Sequence, residues 1–181
     1  MNPLPYLASL LGLDPASITL LFCLFAGYPA SLIYRRLELY RSSRSVQYSY
    51  FAGVGFAIMV FSYGFAVWHS VVSVAAAYLI CRFLAGTTLS VVLAHLCFLG
   101  HLSVAYWLEE SETYDVNFTI PHCVLVMRLI GLVMDVYDGR KPEQDPSLRK
   151  AQLETRVQDS PELLEIAAYS YFYGSLLVGP Q

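Results

Sequence analysis

The residues best suited to proton transfer or metal binding are four histidines: His69, His95, His101 and His122. His95 and His101 are six positions apart, which places them about 120° apart around a helix and therefore on different faces. The sequence contains no His-Glu-x-x-His pair, no Gly-x-Ser-x-Gly turn and no phosphate-binding glycine loop. We therefore predict no metal site, and we expect each histidine to be hydrogen-bonded inside a helix bundle rather than catalytic.

The long apolar segment at residues 119–139 carries Arg128 near its middle and Asp135 towards its end. A charge at the centre of a membrane helix costs about 2.5–3.5 kcal/mol on insertion scales, so these side chains have to face protein or water. Seven residues come within about 20° of two helical turns, so the pair shares a face but lies about 10 Å apart, too far for an ion pair. Each needs a polar partner elsewhere, either to lock the bundle or to line a substrate chamber.

Four further residues are candidates for a polar chamber or for modification. The phenol groups of Tyr171 and Tyr173 could line such a chamber, or could pack and anchor at the membrane interface. Arg82 ends a predicted helix and belongs to the same set of candidates. Asn117 begins an Asn-Phe-Thr glycosylation sequon, although its closeness to the predicted membrane surface argues against its modification.

The composition is that of a membrane protein. Of 181 residues, 56% are hydrophobic and only 14% are charged, whereas a soluble domain carries about 25% charged residues. The net charge of −3, without a basic patch, argues against a nucleic-acid partner. The four cysteines lie in apolar runs without Cys-x-x-Cys spacing, so we expect buried thiols rather than disulfides or metal ligands.

Apolar segments of spanning length predict an all-α, polytopic transmembrane bundle of about six helices. Five helices are expected at 16–34, 51–68, 70–84, 87–108 and 119–139, and a sixth at 162–178, with Ser160 as its N-cap and Pro161 at its first position. The second and third could instead form one tight hairpin. Residues 1–15 form a short lumenal segment, and 16–181 form the transmembrane portion. The polar stretch at 140–160 is a surface loop, partly helical after Pro146.

The basic residues predict the orientation of the helices. Arginine and lysine concentrate at 35–47, 82–86 and 140–160, whereas the loop at 109–118 has none. By the positive-inside rule the basic loops are cytosolic, and the N-terminus is lumenal or extracellular. The sixth predicted helix spans only about 24 Å of a 30 Å hydrocarbon core. We therefore interpret the chain as the front part of a longer polypeptide.

Several motifs resemble the membrane-bound O-acyltransferase family, in particular its branch that acylates lysophosphatidylcholine. The resemblance is carried by Pro121-His122-Cys123-Val124-Leu125, Leu129-Ile130-Gly131-Leu132, Asp135, Asp138-Gly139, Ser170-Tyr171-Phe172-Tyr173-Gly174, Leu177-Val178-Gly179-Pro180-Gln181, Gly27-Tyr28-Pro29, Tyr34-Arg35 and Arg82. It extends over nearly the whole chain. Arg128 is one departure, because lysine is expected there, but the positive charge is kept.

The resemblance implies transfer of an acyl group from acyl-CoA to a lysophospholipid hydroxyl in the endoplasmic reticulum membrane. Acyl-CoA would be a co-substrate, with no further cofactor, and membrane lipids would be the partners. The family's catalytic histidine and asparagine would lie beyond Gln181, since no histidine here matches that motif. This portion alone would therefore be inactive. The alternative is a non-enzymatic polytopic protein or a truncated isoform that acts as an interaction partner.

The orientation can be tested with single cysteines at Ser43, Ser111 and Ser147 in sealed microsomes. The cysteines at Ser43 and Ser147 should react with an impermeant maleimide added from the cytosolic side, because basic loops remain in the cytosol. The cysteine at Ser111 should react only after the membrane is opened. Labelling of Ser111 from the cytosolic side would contradict this topology.

Overall fold

The computed structural model describes residues 4–108 and 118–176. Within these two ranges the chain is helical and contains no strand. The eight α-helices are α1 (Leu4–Leu11), α2 (Pro15–Arg36), α3 (Arg44–Tyr63), α4 (Trp68–Phe83), α5 (Thr88–Leu108), α6 (Thr119–Gly139), α7 (Lys150–Thr155) and α8 (Leu163–Ser170). The predicted fold class, an all-α polytopic bundle, is confirmed.

Four segments are long and apolar enough to cross a membrane, namely Ser17–Arg36, Arg44–Phe83, Thr88–Leu108 and Thr119–Gly139. The second of these has 40 residues and comprises α3 and α4, which are joined by a short 3-10 turn at Gly64–Val67. Gly64 has a φ of 56°, a left-handed value that favours glycine, and this lets the chain change direction there. The chain is thus a multi-pass membrane protein.

The prediction of a sixth spanning helix is wrong in the described part of the chain. Helix α8 has only eight residues, about 12 Å of helix, and ends at Ser170. The predicted N-cap is also wrong, because Glu162 occupies that position and its backbone N–H donates to the Glu165 carboxylate over 3.0 Å. Ser160 instead accepts a hydrogen bond from Arg140 over 2.9 Å. Residues 177–181 lie outside the described ranges.

Helix α6 is the centre of the bundle. Of its most apolar stretch 61% is buried, against 17–28% for the other three spanning segments. Helices α4 and α5 pack along it, and α8 lies between α3, α4 and α6. The requirement that protein surround this charged helix is therefore met.

Tyr171 follows α8 directly, and its side chain packs between α3 and α4. Its hydroxyl is 2.9 Å from the Ser70 Oγ of α4, and its ring packs edge-on against Phe56 of α3. Its backbone carbonyl lies against Gly55, where a Cβ atom would overlap it. Close approach of α3 to this segment thus requires glycine at position 55. Gly53, by contrast, has open space around it.

Gly55→Ala should therefore destabilise the protein, whereas Gly53→Ala on the same helix should not. The added methyl at position 55 meets backbone rather than a flexible side chain, and overpacking of this kind costs about 1–3 kcal/mol. At position 53 alanine meets nothing and favours the helix by up to about 1 kcal/mol. The thermal unfolding midpoint in detergent measures both effects. Equal midpoints for the two variants would show that the contact at Gly55 is not tight.

Candidate functional site

Arg128 lies halfway along α6 and is only 6% exposed. Its Nη2 donates a hydrogen bond to the backbone carbonyl of Tyr169, and its guanidinium carbon lies 4.3 Å from the centre of the Tyr169 ring. That carbonyl belongs to the last turn of α8, whose carbonyl groups have no partner within their own helix. The negative end of the helix dipole also favours a cation there. Arg128 therefore caps α8 from a neighbouring helix.

The guanidinium also borders a cavity of about 370 Å³ between α3, α6 and α8. Its walls include Tyr48 and Phe51 of α3, Glu165 and Tyr169 of α8, and Phe172. The site thus combines one cation, one carboxylate and several aromatic rings at the level of a membrane helix. Glu165 and Tyr169 are four residues apart and therefore share a helix face, a pattern visible in the sequence. Their proximity to Arg128 was not visible there.

Asp135 contacts the loop that follows its own helix rather than the Arg128 cavity. Its carboxylate accepts a hydrogen bond from the Thr155 hydroxyl over 3.0 Å, and its backbone carbonyl accepts one from the Val157 N–H over 3.0 Å. Arg128 and Asp135 thus each have their own partner, and no ion pair joins them. These hydrogen bonds favour a role for Asp135 in stabilising the bundle over a role in lining a substrate chamber.

Asp138 holds the same loop at a second place. Its two carboxylate oxygens accept hydrogen bonds from Lys141 over 3.0 Å and from Gln152 of α7 over 2.8 Å. The hydrogen bond with Asp138 raises the pKa of the Lys141 ammonium, which lies outside the spanning helices. The predicted surface loop at 140–160 is therefore partly helical, as expected, and is anchored to the end of α6.

The other sequence candidates do not meet at the Arg128 cavity. Tyr171 is buried against Ser70, whereas the Tyr173 hydroxyl lies 3.3 Å from Ser31 and borders a different cavity of about 250 Å³ beside α2. Arg82 is exposed and lines a third, polar cavity of about 550 Å³ near the start of α8. Asn117 lies outside the described residues.

Three of the histidines meet, although no local spacing in the sequence indicates it. His69 of α4 and His101 of α5 share a hydrogen bond of 2.9 Å, and the His122 ring of α6 lies 5.2 Å from that of His101 between centroids. His95 is separate and bonds to the Val91 carbonyl over 2.8 Å. Neither ring nitrogen of His122, which is 1% exposed, has a hydrogen-bond partner among the described residues. The expectation that every histidine is hydrogen-bonded is therefore wrong for His122.

No group of three or more histidines, cysteines, aspartates or glutamates in the described ranges has the geometry to hold a metal ion. All four cysteines are free, and Cys23 and Cys81 are buried. Cys97 is exposed on α5, so the expectation of burial is wrong there. The described residues thus present a charged, aromatic cavity at Arg128, a polar cavity at Arg82 and a separate histidine cluster.

The model of the membrane-bound O-acyltransferase family matches residues 103–181. The chain is 43% identical over 166 residues to lysophospholipid acyltransferase 5 of Caenorhabditis elegans, covering 91% of this chain and 34% of that protein. The protein of the same name from Mus musculus is 39% identical over 176 residues, covering 97% of this chain and 35% of that protein. The human one is 37% identical with the same coverage. The resemblance predicted from the motifs is confirmed, and the chain spans about a third of these relatives.

Arg128→Leu should cause misfolding or loss of activity, whereas Arg128→Lys should be tolerated. Leucine leaves the Tyr169 carbonyl without its partner, and an unsatisfied buried polar group costs about 1–3 kcal/mol. Lysine keeps a cation that can reach the same carbonyl. Yield of monodisperse protein and the thermal unfolding midpoint provide the measurement. Normal behaviour of the leucine variant would show that Arg128 does not hold α8 in place.

Proposed function

We propose that this chain is the amino-terminal third of an acyl-CoA-dependent lysophospholipid O-acyltransferase of the endoplasmic reticulum membrane. The observation that carries the proposal is the extent of the similarity. About 39% identity extends over 97% of the chain to the Mus musculus relative, so it is not confined to one motif. The same name recurs among the relatives from worm, mouse and human.

The proposed reaction joins an acyl group to the free hydroxyl of a lysophospholipid. The hydroxyl oxygen attacks the thioester carbonyl of acyl-CoA, an ester bond forms, and the carbon–sulfur bond breaks to release the CoA thiol. A general base takes the hydroxyl proton as attack proceeds, and the leaving sulfur takes up a proton. Acyl-CoA is a co-substrate in this scheme, and no further cofactor is needed.

The described residues support a scaffolding part in this reaction. The buried helix α6 and the capping of α8 by Arg128 form a rigid wall, and the cavity beside them is large enough for part of a ligand, at about 370 Å³. The three clustered histidines, His69, His101 and His122, are not among the residues that line this cavity. We therefore assign the general base to residues beyond Gln181, as the family resemblance implies.

The assignment of scaffolding to this chain and of the general base to residues beyond Gln181 can be tested with two proteins in the same assay. Residues 1–181 alone, reconstituted with acyl-CoA and lysophosphatidylcholine, should show no turnover above background, because catalytic groups that act together lose nearly all activity when separated. The complete polypeptide translated from the same reading frame should convert lysophospholipid to phospholipid, measured as labelled product by thin-layer chromatography.

Each contrary result has a defined meaning. Activity in residues 1–181 would place the general base among the histidines of this chain and overturn the assignment beyond Gln181. Inactivity of both proteins would overturn the enzymatic proposal and favour a non-enzymatic membrane protein.

A further inference from the structure

We propose that the cavity beside Arg128 binds the zwitterionic head group of the lysophospholipid, with Arg128 facing the phosphate and Glu165 and the aromatic walls facing the ammonium group. This inference deepens the proposed function and rests on it, because it names how the enzyme holds one of its substrates.

The first argument is the unused donor capacity of Arg128. A guanidinium has five N–H donors, and Arg128 uses one of them, on the Tyr169 carbonyl, among the described residues. Within the same ranges it forms no ion pair with a carboxylate. A buried cation with unused donors and no direct ion pair is costly, so an anionic group in the adjoining cavity would stabilise the site. A phosphate group is an anion that both arginine and lysine bind in proteins.

The second argument is the chemistry of the other side chains that line the cavity. Glu165 lines the same cavity, and its carboxylate receives a backbone hydrogen bond from Glu162 but forms no ion pair with a described basic residue. Phe51 and Phe172 stand at 90° to one another with ring centres 5.2 Å apart. A carboxylate beside aromatic faces is the arrangement that recognises quaternary ammonium groups.

The cation and the carboxylate of the cavity together favour a zwitterion over a polyanion. A glycerophospholipid head group such as phosphocholine carries a phosphate and an ammonium group a few bonds apart, matching one cation and one carboxylate. Coenzyme A also carries phosphates, but it has no ammonium group, and Glu165 would repel it. The volume of about 370 Å³ lies within the ~300–1,000 Å³ range of ligand pockets. The charge pattern therefore favours the lipid substrate.

Glu165→Gln tests this assignment because it removes the charge and keeps the fold. Glutamine can still accept the Glu162 N–H, since glutamine and glutamate both complete this type of helix cap. Glu154→Gln, on the exposed side of α7, makes the same change of charge away from the cavity and is the matched control. The complete polypeptide in nanodiscs is used without acyl-CoA, so that binding is measured independently of catalysis.

Three single-chain lipids with the same acyl group serve as probes: lysophosphatidylcholine, lysophosphatidic acid and monoacylglycerol. The unaltered protein should bind lysophosphatidylcholine most tightly and monoacylglycerol most weakly. Glu165→Gln should raise the Kd of lysophosphatidylcholine at least about tenfold, because a desolvated charge interaction is lost. The same variant should leave lysophosphatidic acid binding unchanged or tighter, and Glu154→Gln should change neither Kd.

Three results would overturn the head-group assignment. One is equal binding of lysophosphatidylcholine by the Glu165→Gln and Glu154→Gln proteins. Another is binding of monoacylglycerol as tightly as lysophosphatidylcholine, since the head group would then not be recognised. The third is displacement of lysophosphatidylcholine by free coenzyme A, which would assign the cavity to the phosphates of the co-substrate. Selective lipid binding without acyl transfer in the complete polypeptide would instead overturn the proposed function while the binding site stands.

Discussion

A positive charge held within an apolar helix is the constraint on which the rest of this structure depends. Arg128 cannot face lipid at the middle of α6 without a large cost, so protein has to supply a partner on the inner side of the bundle. The partner is a carbonyl of the last turn of α8, which itself lacks a partner within its helix. One contact therefore gives the Tyr169 carbonyl a donor and places the Arg128 charge against protein rather than lipid. Because the acceptor belongs to the backbone, it fixes the position of α8 whatever side chain stands there.

The placement of α8 then determines how the neighbouring helices meet. Directly after α8, Tyr171 fills the space between α3 and α4, and its carbonyl lies on the bare backbone at Gly55. On the other side, Asp135 and Asp138 hold the loop at 140–160 against the end of α6. Short polar contacts thus position segments that are too short to span the membrane. Inside a membrane, an apolar side chain gains little by leaving lipid to contact protein. Polar contacts therefore determine which segments pack together.

The two polar regions of the bundle differ in what they can do chemically. In the histidine cluster a hydrogen bond joins His69 of α4 to His101 of α5, and the His122 ring of α6 packs beside them without a hydrogen-bond partner among the described residues. The cavity at Arg128 presents opposite charges on an aromatic wall, which suits recognition of a charged ligand better than proton transfer. This contrast supports the proposal that this part of the chain forms a binding wall and that the general base lies outside it.

The sequence by itself determined the membrane class, the approximate positions of the spanning helices up to residue 139 and the burial of α6. The length of an apolar segment and the presence of a charge within it can both be read locally along the chain. The predicted second helix covers 51–68, whereas α3 spans Arg44–Tyr63. The sequence also determined the family resemblance through its motifs. Only the tertiary structure decided which partner each charge found, since Arg128 and Tyr169 are 41 residues apart and nothing local selects that pairing. The same holds for the histidine cluster and for the cavity shared by Arg128 and Glu165. The sequence did not predict that α8 is short, because the apolar composition continues past Ser170. In the structure the helix ends at Ser170, and the Tyr171 side chain packs between α3 and α4.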